Sequence, residues 1–209
     1  MIKNLQIQEY FVSPVLTFEV DVDAEGLCEY MERNPDWENQ FLNGELQGTE
    51  IQRVYDQMQP EVAKFSKQYG MPEDVRVATA TRIWHNYGER ETAHFHMGGF
   101  FSSILYLKTP PMGGDLLILD PRGPICWNMF NAEDYNNTKY GTSNCRVYRR
   151  IKPKAGLVVV LPSWLAHYSE QSLDQDPRIL IVSDWNMFDW GQIDFDDKVR
   201  PHDEVTGKQ

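Results

Sequence analysis

The feature that most constrains the fold is the way the last two-thirds of the chain is punctuated. After Met71, "VRVATATRIWHNY" alternates over a long strand, with Val77, Thr79, Thr81 and Ile83 on one side. "FFSSILYLK" (100–108), "DLLIL" (115–119), "AGLVVVLP" (155–162) and "RILIVSDW" (178–185) follow, separated by Gly and Pro. Period-2 alternation and short apolar bursts between turn residues are strand signals. Many short strands joined by turns predict a mainly β chain, a β-sandwich or jelly roll. The stretch between residues 120 and 151 is polar but carries Trp127, Met129, Phe130 and Tyr135. Its length suits a lid, expected over 123–150.

The first third differs. "PVLTFEV" (14–20) reads as a strand, and "AEGLCEYMERN" as a short helix with Leu27, Tyr30 and Met31 at helical spacing. From residue 50 to 69, Ile51, Val54, Tyr55, Met58, Val62, Phe65 and Tyr69 keep the 3.6 period. Pro60 is expected to kink or divide this helix and Gly70 to end it. These N-terminal helices should pack outside the β-core.

With 209 residues and no internal repeat, one domain is expected. Residues 1–75 would support a β-core over 76–187, and 195–209 would form a flexible tail. Cys28, Cys126 and Cys145 are odd in number and lack CxxC spacing, which argues for free thiols in a reducing cytoplasm. "MIKNLQIQEYFVSP" is not a secretory signal, and no run of 18 apolar residues exists to span a membrane. A net charge of −11 disfavours nucleic acid as a partner, and "RVYRRIKPK" (146–154) reads as a solvated basic strand.

Only five histidines occur, yet His94 and His96 stand two apart in "ETAHFHMGGFFSSILYL". In an extended chain, side chains two apart share a face, about 6–7 Å along the strand, so both rings can reach one metal ion. His167, in "VVVLPSWLAHYSE", is a third candidate ligand. Arg178 opens the apolar run "RILIVSDW" eleven residues later. A buried-strand arginine is costly unless it meets an anion. That anion would be a nearby carboxylate or a carboxylate-bearing cosubstrate.

Taken together, "AHFHMGGFFSSILYLKTPPMGGDLLILDPRG" and "PKAGLVVVLPSWLAHYSEQSLDQDPRILIVSDWN" resemble the iron(II)- and 2-oxoglutarate-dependent oxygenases, over roughly residues 76–187. The likeness is to a microbial and phage branch related to prolyl hydroxylases. It implies a double-stranded β-helix, a cupin-like jelly roll, with Fe(II), 2-oxoglutarate and O2 as cofactors. His94 looks like the first iron ligand and His167 the distal one. Arg178 looks like the arginine that grips the far carboxylate of 2-oxoglutarate. Tyr106, Asn86 and Ser183 occupy plausible cosubstrate positions, and Trp164 would fill the core beside the metal.

At His96 the chain departs from the family, which reads aspartate or glutamate there. Three readings stay open: His96 is the third ligand; a carboxylate from Glu91, Asp115 or Asp120 completes the site; or the third position is open. The implied reaction is hydroxylation of a peptide (a prolyl side chain, for example) or a small molecule, releasing succinate and CO2. The location would be cytoplasmic, bacterial or in the host of a phage. A three-histidine cupin-type dioxygenase and a non-catalytic metal- or partner-binding β-domain are the alternatives.

Overall fold

A computed structural model of the chain describes residues 13–97, 99–121 and 148–187. Two antiparallel sheets organise it. The larger orders β1 (Leu16–Glu19), β6 (Leu157–Pro162), β3 (Phe101–Lys108), β8 (Arg178–Met187) and β2 (Val75–His85). The smaller orders β5 (Tyr148–Ile151), β4 (Leu116–Leu119) and β7 (His167–Ser169). Both faces of the larger sheet are covered, which is why its inner strands read as continuous apolar runs. Every residue of β6 is buried, and all of β3 except Lys108.

One face carries Leu105, Val158, Val160, Ile181 and Trp185 against the helices. These are α1 (Ala24–Arg33), α2 (Trp37–Leu42) and α3 (Glu50–Gln68), which bury Leu27, Met31, Trp37, Ile51, Val54 and Met58 in return. The Asp23 side chain accepts from Gly26 N to cap α1, and Thr49 accepts from Gln52 N to cap α3. The other face sets Ile104, Tyr106, Val159, Leu161 and Leu180 against Leu116 and Ile118 of β4.

Some expectations need correction. Pro60 does not divide α3, which runs unbroken over 19 residues. The proline removes one backbone bond, but Met58 and Val62 on either side are buried and hold the helix against the sheet. Nor do Val77 and Thr79 share a face. A register shift between them against β8 puts Val77 with the helices, while Thr79 reaches Asp184 on the other side. A single bulge thus reverses the parity of the strand. The basic strand expected within 146–154 is present as β5 over residues 148–151, so the expected lid span overlaps a strand at its end. There Arg150 bonds Asp115 at 3.1 Å and Glu170 at 2.6 Å, so the basic segment is countered by acids. The rest of that lid, the tail over 195–209, Cys126 and Cys145 lie outside the described residues. Cys28 is a free thiol pushed up to about 11 by burial and by Glu32. Among the described residues no helix is long and apolar enough to cross a membrane.

Candidate metal centre

The extended segment 88–96 lies along the chain that runs through β7. His94 N donates to His167 O at 3.0 Å, and His167 N returns the bond to His94 O at 2.9 Å. His96 N donates to Ser163 O at 2.8 Å, and Gly88 N to Ser172 O at 2.7 Å. This pairing places His94 opposite His167, and the two-residue period brings His96 to the same side. The ring centroids stand 4.6 Å (His94–His167), 5.2 Å (His94–His96) and 5.3 Å (His96–His167) apart. One ligand nitrogen from each ring lies within 4.8 Å of the others, and among the described residues this group includes no carboxylate.

The second nitrogen of each ring is already engaged. Nδ1 of His94 meets Thr92 O at 2.6 Å, Nδ1 of His167 meets Leu165 O at 2.9 Å, and Nδ1 of His96 meets Asp184 Oδ1 at 2.9 Å. A carbonyl or carboxylate oxygen can only accept, so each Nδ1 carries a proton and Nε2 is the ring nitrogen left to face a ligand. That is how proteins orient metal-ligating imidazoles. Nε2 of His96 is buried with no hydrogen-bond partner, an atom prepared for a ligand. Burial depresses His167 to about 4, against the opposing pull of its bond to Leu165, so its ring is neutral at pH 7. The three donors fit a divalent ion that accepts imidazole nitrogen.

Asp184 sits behind His96. Its Oδ1 also accepts from Ser102 Oγ at 2.7 Å, and its Oδ2 from Thr79 Oγ1 at 3.2 Å. Burial pushes this carboxyl up, but the bonds from His96, Ser102 and Thr79 outweigh it and hold it below the ordinary value.

Arg178 lies in the same cavity, 2% exposed. Nη1 donates to Gly114 O; Nη2 donates to His85 Nδ1 at 2.7 Å and to Ser169 Oγ at 2.8 Å. All these acceptors are neutral, and Nε is buried without a partner. Among the described residues no carboxylate pairs with this guanidinium. His85 Nε2 donates to Glu91 Oε1 at 3.1 Å, which fixes Nδ1 as the acceptor for Arg178. Burial and the adjacent Arg178 charge lower the His85 pKa, with Glu91 opposing, so that ring is also neutral. Gly114, at φ +74°, makes the approach possible: a Cβ there would stand 2.7 Å from Nη1.

Tyr106 is buried and lines the cavity with Arg178 and the three histidines; burial holds its phenol protonated. Asn86 and Ser183 do not line it. The Asn86 amide bonds Glu89 and Trp84 just past β2. Ser183 points toward the helices, its hydroxyl bonded to Tyr55. Trp164 is 53% exposed in the turn after β6 and fills no core. Of the candidate carboxylates, Glu91 bonds His85 and Asp115 bonds Arg150, while Asp120 lies just past β4. Sequence reasoning missed Asp184 and His85. Strand parity carried a signal for Asp184, which stands six residues from Arg178 and therefore on its face, whereas Ser183 does not.

Residues 82–184 match the family described as "Putative 2OG-Fe(II) oxygenase", a span that includes the three histidines, Arg178 and Asp184. This segment of the chain is thereby similar to the iron(II)- and 2-oxoglutarate-dependent oxygenases, a family that uses Fe(II), 2-oxoglutarate and O2. Among solved structures it is similar to HygX from Streptomyces hygroscopicus with nickel and 2-oxoglutarate bound, at 13% identity over 84% of this chain and 83% of that one, TM-score 0.51. It is also similar to a Pseudomonas putida prolyl-4-hydroxylase, at 18% identity over 83% of this chain and 87% of that one, TM-score 0.50. These likenesses show the fold, a double-stranded β-helix. A match to an oxidoreductase of the 2OG-Fe(II) oxygenase family from Burkholderia pseudomallei has 14% identity and a TM-score of 0.43. It takes in 59% of this chain and 48% of that one, so this chain spans about half its length. No curated protein matches.

Proposed function

We propose that the protein is a dioxygenase that couples oxidative decarboxylation of 2-oxoglutarate to hydroxylation of a substrate, releasing succinate and CO2. The observation that carries this reading is one cavity holding three convergent imidazoles and a buried guanidinium with no carboxylate partner among the described residues. In this reading Nε2 of His94, His96 and His167 hold Fe(II). Bound Fe(II) supplies the redox-active centre at which O2 chemistry on the cosubstrate is coupled to attack on a C–H bond.

The protein's own residues supply binding and orientation. Arg178 offers its unpartnered Nε–H to the distal carboxylate of 2-oxoglutarate, and the protonated Tyr106 hydroxyl is a second donor in the same cavity. Glu91 and His85 hold the guanidinium in place from behind. Ile104, Leu116, Leu180 and Val182 form apolar walls that limit water around the reacting groups. A three-histidine cupin-type dioxygenase would use the same triad but would need no buried, uncountered arginine, and a non-catalytic metal-binding domain would turn nothing over. The substrate is proposed to be a peptide, such as a prolyl segment, or a small molecule.

The test is succinate formation from 2-oxoglutarate by the purified chain with Fe(II) and O2. The expected result is iron-dependent succinate release that His94→Ala abolishes. Absence of any iron-dependent turnover of 2-oxoglutarate by the parent chain, with and without prolyl peptides, would count against the reading.

A further inference from the structure

We infer that Asp184 is the carboxylate of this metal centre, placed one bond behind the ligand instead of on the ion, so that His96 and Asp184 work as a single anionic unit. The inference rests on the proposed reading of the three histidines as metal ligands.

Three observations lead to it. First, the triad is made of imidazoles alone and offers a divalent ion no compensating negative charge. Second, Asp184 Oδ1 meets His96 Nδ1 at 2.9 Å, which fixes the tautomer and leaves the buried, unpartnered Nε2 as the donor atom. A carboxylate behind an imidazole makes that ring a stronger donor and keeps its orientation. Third, among the described residues the hydrogen-bond contacts to the Asp184 carboxylate are all from donors: His96, Ser102 and Thr79. The carboxylate therefore accepts on both oxygens, and its hydrogen bond to the triad is the one to His96. β8 presents Asp184 and Arg178 on the same face, so one strand supplies the group that tunes the metal and the group proposed to hold the cosubstrate.

Asp184 is thus a positioning residue, and its charge should be separable from its geometry. Asparagine keeps an oxygen that can accept from His96 Nδ1–H but removes the charge; alanine removes both. The probe is Co(II), titrated into the full chain under calorimetry and by its visible absorption. Parent, Asp184→Asn, Asp184→Ala, Asp184→Glu and His96→Ala proteins are compared. The expected order of affinity is parent, then Asp184→Asn weaker by about 10-fold, then Asp184→Ala by up to about 100-fold. Asp184→Glu should recover part of the loss and shift the Co(II) band. In the iron-loaded protein, Asp184→Asn should raise the Fe(III)/Fe(II) potential, because the charge that favours the ferric ion is gone. A residue that served folding alone would lower the melting temperature without moving the potential or the band.

Co(II) affinity, band and iron potential all unchanged in Asp184→Asn and Asp184→Ala, with the parent binding one ion, would overturn the inference and leave the three-histidine reading standing. A parent that binds no Co(II) would overturn both.

Discussion

The two faces of β8 make different use of polar groups. Toward the helices, Ser183 bonds Tyr55, and Trp185 Nε1 donates to Ser103 Oγ at 2.8 Å; these groups satisfy one another inside an apolar core. Toward the smaller sheet, Arg178 and Asp184 flank a cavity in which Nε of Arg178 and Nε2 of His96 are buried and unpartnered. Buried polar groups normally find partners, because leaving one unmade costs about 1–3 kcal/mol. Ser183, Tyr55, Ser103 and Trp185 obey that rule on the helix-facing side, although Arg82 Nη1 and Asn186 Oδ1, neither of which lines the cavity, are also buried without a partner. Within the cavity the rule is broken at two atoms, Nε of Arg178 and Nε2 of His96, and it is this convergence in one cavity that marks the site.

The largest expected effect comes from the triad. His94→Ala, His96→Ala and His167→Ala should each lower Fe(II) affinity by more than the roughly 10–100-fold typical of an outer partner. Asp115→Ala should retain iron because its carboxylate bonds Arg150. Iron content after gel filtration reads both. Next is Arg178→Ala, which should weaken 2-oxoglutarate binding by about 2–4 kcal/mol while metal affinity changes little. Gly114→Ala should do the same to a lesser degree by crowding Nη1. Equilibrium titration with 2-oxoglutarate under anaerobic conditions separates the two.

A pH effect of middle size should belong to the cavity face of the metal-free protein. His167 is depressed to about 4 by burial, below an unfolded value of about 6.5. Above pH 6.5 the ring is neutral in both states and adds no pH dependence. As pH falls from about 6.5 toward 4, the unfolded chain takes up a proton that the folded chain refuses. Stability should therefore be lost across that window, by up to about 3 kcal/mol. Urea midpoints at pH 7.5 and 4.5 should fall further apart in the parent than in His167→Gln; equal falls would contradict the assignment. The smallest effect should be on the helix face. Ser183→Ala should cost about 1 kcal/mol of stability and leave 2-oxoglutarate affinity unchanged.

The strands and main helices were legible because their periods are strong: the apolar runs of β3, β6 and β8 and the 3.6-residue stripe of α3 needed no tertiary information. Short β7, only "HYS", has no period of its own and exists because 88–96 and β4 pair with it. The helix α2 is likewise too short for a stripe. At the site, His94 and His96 were visible by their two-residue spacing, His167 as a third histidine after an apolar strand, and Arg178 as a costly charge opening an apolar run. Asp184 and His85 act through other side chains, so only strand register revealed them: His85 is opposite Arg178, and Thr79 is opposite Asp184. The bulge between Val77 and Thr79 explains why counting along β2 alone misplaces a face.

The central claim, that three histidines and Arg178 form one iron and 2-oxoglutarate site, is tested most directly by anaerobic absorption spectroscopy. Fe(II) and 2-oxoglutarate added together to the parent should produce the visible charge-transfer band of a chelated keto acid at one iron per chain. His96→Ala should lose the band at matched concentrations, Arg178→Ala should require more 2-oxoglutarate to develop it, and Ser183→Ala should match the parent. A band of full intensity and unchanged affinity in both His96→Ala and Arg178→Ala would contradict the account.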